Sequence, residues 1–262
     1  MRLRVATAAD VEPMLALKSK LQLARADART GGFLLGSSAE QYRFFVDHAQ
    51  VLVLDRGLDT EPSLVHAADC TGEQTSDHAR DQARNHAGDH ARDRAGEQST
   101  RAPALIGFVI ALGDRVLRQS DLWNRRHAIQ WQSSPLTPPP LENLRLSYIE
   151  QLAVLPELAY RPYAPALALA IAQRLFADHD YILTTTVHQP IRNLAAWPLL
   201  AIADAQLMGF IDEEYPHVGR IQSALHGVER SRFIWQLRHS PHQPLLRRIQ
   251  KTVDRLQQCY TR

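Results

Sequence analysis

The sequence predicts a mixed α/β (α+β) fold, and three observations carry that expectation. Short runs of β-formers recur at residues 2–6, 51–54 and 104–112. Two helical patterns stand between the first and second of these runs. Further on, residues 146–187 read as a strand, a helix apolar nearly all round, and a strand. Taking the elements in order, residues 2–6 alternate, with Leu3 and Val5 on one side and Arg2 and Arg4 on the other. Asp10 is placed to cap a helix that carries Pro13 in its first turn, where the missing N–H breaks no helical bond. Val11, Met14, Leu15, Lys18 and Leu21 follow at helical spacing. Gly31, Gly32 and Gly36 interrupt the pattern, and residues 38–48 read as a second short helix. The apolar runs at 51–54 and 104–112 are expected to be buried strands. Residues 115–132, with Trp123 and Trp131, read as a helix and an extended crossing that ends at Pro135 and Pro138, Pro139 and Pro140.

Residues 146–155 (LSYIEQLAVL) form the next expected strand, stopped by Pro156, and residues 165–178 form a deeply packed helix. Residues 181–187 (YILTTTV) are rich in β-formers, so this stretch should be a right-handed βαβ unit with parallel strands. A helix over 192–203, a turn into more sheet at Gly209-Phe210 and a strand over 221–228 complete the reading. In the tail, residues 241–262, Leu245, Leu246, Ile249, Val253 and Leu256 lie at helical spacing. Arg247, Arg248, Lys251 and Arg255 fall elsewhere, giving an amphipathic helix with a basic face.

Composition narrows the classes of function. The chain has 262 residues, 45% hydrophobic and 22% charged, and a formal net charge of +2. That balance gives no diffuse attraction to phosphate backbones, so nucleic acid is not an expected partner. No apolar run approaches a membrane span and the first residues lack a signal-peptide pattern, so neither a membrane nor export is expected. Two cysteines, Cys70 and Cys259, build no disulfide framework, and a cytoplasmic location follows as the expectation. Residues 67–103 differ in character: five four-residue units run from Asp77 to Gly96 (DHAR, DQAR, NHAG, DHAR, DRAG), with alanine as the only recurring apolar residue. Such a stretch cannot offset an ordering cost of about 1–2 kcal/mol per residue, and it is read as a disordered insertion in a strand-to-strand connection. His86 and His90 within it stand four apart, but a solvated loop is the favoured reading and no metal is expected. The expected division is residues 1–230 as the main domain and 231–262 as a helical extension.

The chemistry is expected around residues 155–167, LPELAYRPYAPAL. A strand ends at a proline, a loop of small residues with one arginine follows, and a long helix begins. Amides in such a loop and at a helix N-terminus bind phosphate without a basic side chain. Arg161, Ala164 and Ala166 sit at the spacing of an Arg/Gln-x-x-Gly-x-Gly/Ala signature, behind a strand ending in Leu152-Ala153-Val154. This resembles the acyl-coenzyme A loop of the GNAT acetyltransferase superfamily. The opening RLRVATAADVEPML is similar to that superfamily's first strand and helix. Asn193-Leu194-Ala195-Ala196 followed by Gly209-Phe210 is similar to its second conserved block, and element order agrees over about residues 1–230.

The resemblance implies a GNAT-like, mostly antiparallel sheet flanked by helices, with a splayed parallel pair at its centre. Acetyl-CoA would lie in the splay as co-substrate, its pantetheine paired with the backbone of Leu152, Ala153 and Val154. Its pyrophosphate would sit on the loop around Arg161, Tyr163, Ala164 and Ala166, and Asn193 would contact it from the other side. The implied reaction is direct attack of a primary amine, on a small molecule or a peptide, on the thioester. Glu150 is the candidate base, expected to share a face with Leu146, Tyr148, Leu152 and Val154 and to have its pKa raised by them. His188 is a second candidate, and the N–H of Leu152 a candidate oxyanion donor. The chain departs from the family where two glycines are Ala164 and Ala166, where Pro162 and Pro165 remove amide donors, and where Leu200 replaces a thiolate-protonating tyrosine. Tyr148, Tyr163 or Tyr215 is available in its stead. On the acceptor side, residues 31–38, 115–132 and 212–215 are expected, with Glu213 and Glu214 facing a cation and Trp123 or Trp131 stacking on it. The tail helix is expected to dock on the domain or to pair with a second copy as a homodimer.

Overall fold

Strand-forming runs hydrogen-bond into one sheet of eight strands in a computed structural model, which describes residues 1–21, 33–56, 105–132, 141–215 and 218–258. The expected insertion at 67–103, with Cys70, His86 and His90, lies outside the described residues. So do Cys259, Gly31, Gly32 and the prolines at 135 and 138–140. The strands are β1 (Arg2–Val5), β2 (Gln50–Asp55), β3 (Leu105–Leu112), β4 (Gln130–Trp131), β5 (Leu146–Val154), β6 (Tyr181–Gln189), β7 (Gln206–Tyr215) and β8 (Gly219–Glu229). Their spatial order is β1-β2-β3-β5-β6-β8-β7-β4, and every neighbouring pair is antiparallel except β5 and β6. The helices are α1 (Val11–Lys20), α2 (Ala39–His48), α3 (Asp114–Arg118), α4 (Asp121–Asn124), α5 (Tyr163–Asp178), α6 (Trp197–Ala203), α7 (Arg230–His239) and α8 (Gln243–Gln258).

Two apolar layers cover the two faces of the sheet. On one, Met14 and Leu17 of α1 and Tyr42 and Phe45 of α2 pack with Val53, Phe108, Ile110 and Tyr148. On the other, Ile171 and Leu175 of α5 and Val253 and Leu256 of α8 pack with Leu52, Leu54, Ile106 and Val109. β2 and β3 are buried on both faces, which is why they read as unbroken apolar runs rather than alternating ones. Eight residues of α5 are buried, in keeping with its apolar circumference. Each full burial of a large side chain contributes about 1.5–3 kcal/mol.

Several local expectations are corrected. Thr7, not Asp10, opens the first helical segment: its extended backbone and the Asp10 side chain form a capping box, and a 3₁₀ turn (Ala8–Asp10) runs into α1. Val5 stands 56% exposed at the end of edge strand β1, whereas Arg4 is drawn in by Asp10 and Asp55. Residues 115–132 form two short helices, a 3₁₀ turn and the two-residue β4 rather than one helix. The helix expected from 192 starts at Trp197, after a 3₁₀ turn at Leu194–Ala196. Gly209-Phe210 is no turn but lies inside β7. A Cβ at Gly209 would come within 2.7 Å of the Gln130 carbonyl oxygen, so glycine there lets β4 approach β7. On α8, Leu246, Ile249, Val253 and Leu256 are buried, while Leu245 is exposed.

Candidate functional site

The site begins with a fork in the sheet. β5 and β6 pair only from Leu146 with Tyr181 to Ile149 with Thr184; beyond that, residues 150–154 and 185–189 have no partners in each other. The Leu155 N–H donates to the Ile106 carbonyl of the β3 side (2.8 Å), and main-chain groups alternate along an antiparallel strand. Ala153 and Gln151 therefore also bond toward β3, and the N–H and C=O of Leu152 and Val154 point into the fork, free of strand partners. On the other bank, β6 stays paired with β8.

At the mouth of the fork β5 carries a bulge. Ile110 opposes Gln151 and Ala111 opposes Ile149, leaving Glu150 as the extra residue. This corrects the face expected for Glu150. Leu146, Tyr148, Ala153 and Leu155 share the α1/α2 layer, while Ile149, Leu152 and Val154 pack in the α5/α8 layer. Simple alternation fails because the bulge advances the strand by one residue.

A cavity of about 720 Å³ occupies the fork. Glu150, Leu152, Ala153, Val154, Arg161, Ala164 and Asn193 all line it, whereas Tyr163 and the buried Ala166 do not. α5 starts at Tyr163 with ordinary helical geometry. No alanine in the loop sits at positive φ, so the two replaced glycines impose no strain. The Tyr163 and Ala164 amides already donate to the Tyr160 and Arg161 carbonyls (3.0 and 3.2 Å). Asn193 donates from Nδ2 to the Phe33 carbonyl (3.2 Å), while its buried Oδ1 has no partner among the described residues. Leu200 of α6 lines the cavity as an apolar wall.

The electrostatics concentrate at the bulge. Burial, and then the neighbouring Glu213 charge, push the half-buried Glu150 carboxyl up to about 7. Glu213 is itself buried and accepts from Arg125 (3.2 Å), and Glu214 points outward. Tyr215 holds its proton more firmly than usual because of burial and the charges of Glu213 and Glu150. It packs against the left-handed Gly36 (φ 66°), where a Cβ would lie 3.2 Å from the ring. Tyr42 Oη donates to Gln151 Oε1 (2.5 Å), and Gln151 Nε2 donates to Ser37 Oγ (2.9 Å). Lys18 Nζ donates to the Ser37 carbonyl (2.6 Å), so α1, α2 and β5 together fix the Gly36–Ser37 turn beside Glu150. Tyr148 Oη and Thr185 Oγ1 lie 2.6 Å apart across the closed end of the fork. Trp123 is held between Arg118 and Arg126 (4.7 Å each), and Trp131 lies on β4. His188 packs at a tilt against Phe210 (4.9 Å between centroids) and is not a lining residue.

No family model and no curated protein matches the sequence. Among solved structures, Arabidopsis thaliana NAA60 in complex with acetyl-CoA aligns with a TM-score of 0.50 at 15% identity, over 87% of this chain and 97% of that one. The chain has the GNAT fold. An N-acetyltransferase from Staphylococcus aureus Mu50 also aligns (TM-score 0.48, 9% identity, 88% and 97% covered). So does the Drosophila melanogaster polyamine N-acetyltransferase (0.46, 10%, 87% and 98%). Within this GNAT fold, sequence reasoning missed Gln151, Tyr42 and the threonines 184–186. Their part depends on contacts such as Tyr42 with Gln151, 109 residues apart, which no local pattern announces. Among the described residues no cluster of acids, histidines or cysteines could hold a metal ion, and no helix is long and apolar enough to cross a membrane.

Proposed function

We propose that this chain is an N-acetyltransferase that moves an acetyl group from acetyl-CoA to a primary amine in a ternary complex. The observation that carries this reading is the fork itself. One bank offers main-chain groups free of strand partners at Leu152 and Val154, and a carboxylate with no hydrogen-bond or ion-pair partner among the described residues stands at the bulge. The residues fit the co-substrate: the fork edge pairs with pantetheine amides, and the orphaned Asn193 Oδ1 accepts an N–H from its other side. Arg161 meets the diphosphate end with its charge, and the start of α5 with its dipole rather than with free amides, since those of Tyr163 and Ala164 are already engaged.

Acetyl-CoA supplies the thioester whose C–S bond breaks as the amine nitrogen bonds to the carbonyl carbon. Glu150 takes a proton from the incoming ammonium; a pKa near neutrality suits that task, being basic enough to accept and ionised at working pH. The Leu152 N–H stands toward the developing oxyanion. The amine yields two protons in all and the leaving thiolate regains one, so one proton is released per turnover. The Glu150 carboxylate at the end of the cleft, once ionised, favours a cationic acceptor, small molecule or peptide.

A second reading, a non-catalytic acyl-CoA-binding module, is favoured by one feature: Leu200 gives the thiolate side of the cleft no proton donor. Thermal unfolding with acetyl-CoA tests both. A ligand at a hundred times its Kd adds about 2.7 kcal/mol to native stability, and no shift overturns both readings. Free thiol release across a panel of amines then separates them. Turnover that is lost in Glu150→Gln with acetyl-CoA affinity retained supports the enzyme, and binding without thiol release supports the module.

A further inference from the structure

We infer that the cleft is built for an acyl-CoA whose acyl chain is longer than acetyl, the chain lying in an apolar chamber between the fork and the C-terminal helices. The inference rests on the reading of the fork as an acyl-CoA site and adds the class of acyl group. The cavity does not close where β5 and β6 rejoin at Thr184. It continues over Ile182 and Val228 as a floor, along Ala172 of α5 as a wall and under Leu200 of α6, to end against Phe233 of α7 and Ile249 of α8. These residues, Leu200 apart, belong to the α5/α8 layer, in which Leu152 and Val154 also pack. A chain attached to a thioester at the fork thus enters the chamber directly.

The lining decides the chemistry of the occupant. Past Thr184 the one polar side chain among the described lining residues is Gln236, which lies near enough to the Asp204 carboxylate to help hold its pKa below the usual value. Phosphate, amide, ribose or adenine would be stranded there without partners, whereas hydrocarbon loses nothing. The arm of the co-substrate that joins diphosphate to sulfur is accounted for by the Arg161-to-Glu150 stretch of the cleft, so the chamber remains for the acyl group. Leu200, at the place where a proton donor was expected, reads as the roof of a hydrocarbon channel.

The test is isothermal titration of the full chain with acetyl-, butyryl-, hexanoyl- and octanoyl-CoA, at concentrations where the thioesters are monomeric. Each buried methylene tightens binding by about fourfold. Octanoyl-CoA is expected to bind about 60-fold tighter than acetyl-CoA even if only half the added chain is accommodated. Ala172→Trp, which fills the chamber, should abolish that gain and leave acetyl-CoA affinity within about threefold. Ala203→Phe, placed at the roof, serves in its place if Ala172→Trp fails to fold. Equal or weaker binding of octanoyl-CoA, or a chain-length gain that survives a folded chamber-filling variant, overturns the inference while the acetyl-CoA reading stands. No binding of any thioester overturns that reading and this one with it.

Discussion

Glu150 owes its character to its position as the extra residue of a bulge, between the apolar edge of the fork and the buried Glu213. A carboxyl raised from 4.5 to about 7 is ionised only on the alkaline side, so the acetylation rate should rise through about pH 7 and level off above it. Glu150→Gln should be slow and flat across the same range; a wild-type profile without that inflection would remove Glu150 from the chemistry. The same shift has a consequence for stability. The native state holds a proton that the unfolded chain releases between about 4.5 and 7, so stability falls as pH rises through that window, by on the order of 3 kcal/mol. Glu150→Gln should therefore melt higher than wild type at pH 8, with the two converging near pH 4.5. Arg4 works in the opposite sense. Burial pushes Asp10 upward, but hydrogen bonds from Arg4 (2.7 Å each) and Thr7 overcome it and hold the carboxyl below its usual value. Arg4 also donates to the fully buried Asp55 (2.7 Å). Arg4→Met should cost about 3–5 kcal/mol in urea unfolding, because it leaves the buried Asp10 carboxylate without its counter-charge, while Asp55 keeps Arg2. A loss under about 1 kcal/mol would mean that the strand end relaxes and rehydrates Asp10.

At the scale of elements, the fork depends on how tightly β5 is held from behind. β3 approaches it closely at Gly107, where a Cβ would lie 2.7 Å from the Ala153 carbonyl oxygen and 2.9 Å from Val154 Cγ1. The first of these neighbours is main chain and cannot swing away. Gly107→Ala should therefore push β5 toward the fork, destabilising the fold by about 1–3 kcal/mol and weakening acetyl-CoA by about tenfold. Unfolding and titration on one sample check this, and unchanged affinity beside lowered stability would show that β5 yields elsewhere. The bulge belongs to the same strand and was illegible. In LSYIEQLAVL the apolar residues fall on alternate positions on both sides of Glu150, so the sequence reads as an unbroken ladder while the backbone slips by one. β2, β3 and α5 were legible for the converse reason: each is buried on nearly every side, and an apolar run survives any register.

Across the described residues, what local pattern could reveal was the order of elements and the parallel pair; the pairing of distant groups could not be read. Asn193 apart, the candidate residues of the fork lie within one strand and the loop after it, and hence appeared together in the sequence. The Gly36–Ser37 turn, which meets the residue after Glu150, is fixed by Tyr42, Gln151, Ser37 and Lys18, whose meeting depends on the packing of α1 and α2 on the sheet. The tail poses the same question for the molecule as a whole. Residues 231–262 looked like an extension, yet Val253 is fully buried in the same apolar layer as Ile171 and Leu175 of α5, with Ile249 and Leu256 at its sides. If that layer is one cooperative core, a charge placed in it must destabilise every element at once. Val253→Asp should lower the midpoint of a single unfolding transition by roughly 6–12 °C, the shift that about 3 kcal/mol produces in a domain of this size. Because α7 and α8 also close the far end of the cavity, the stabilisation by acyl-CoA should fall with it. Two separate transitions in the variant, with the upper one unmoved and still raised by ligand, would instead make the tail an independent unit that merely rests on the sheet.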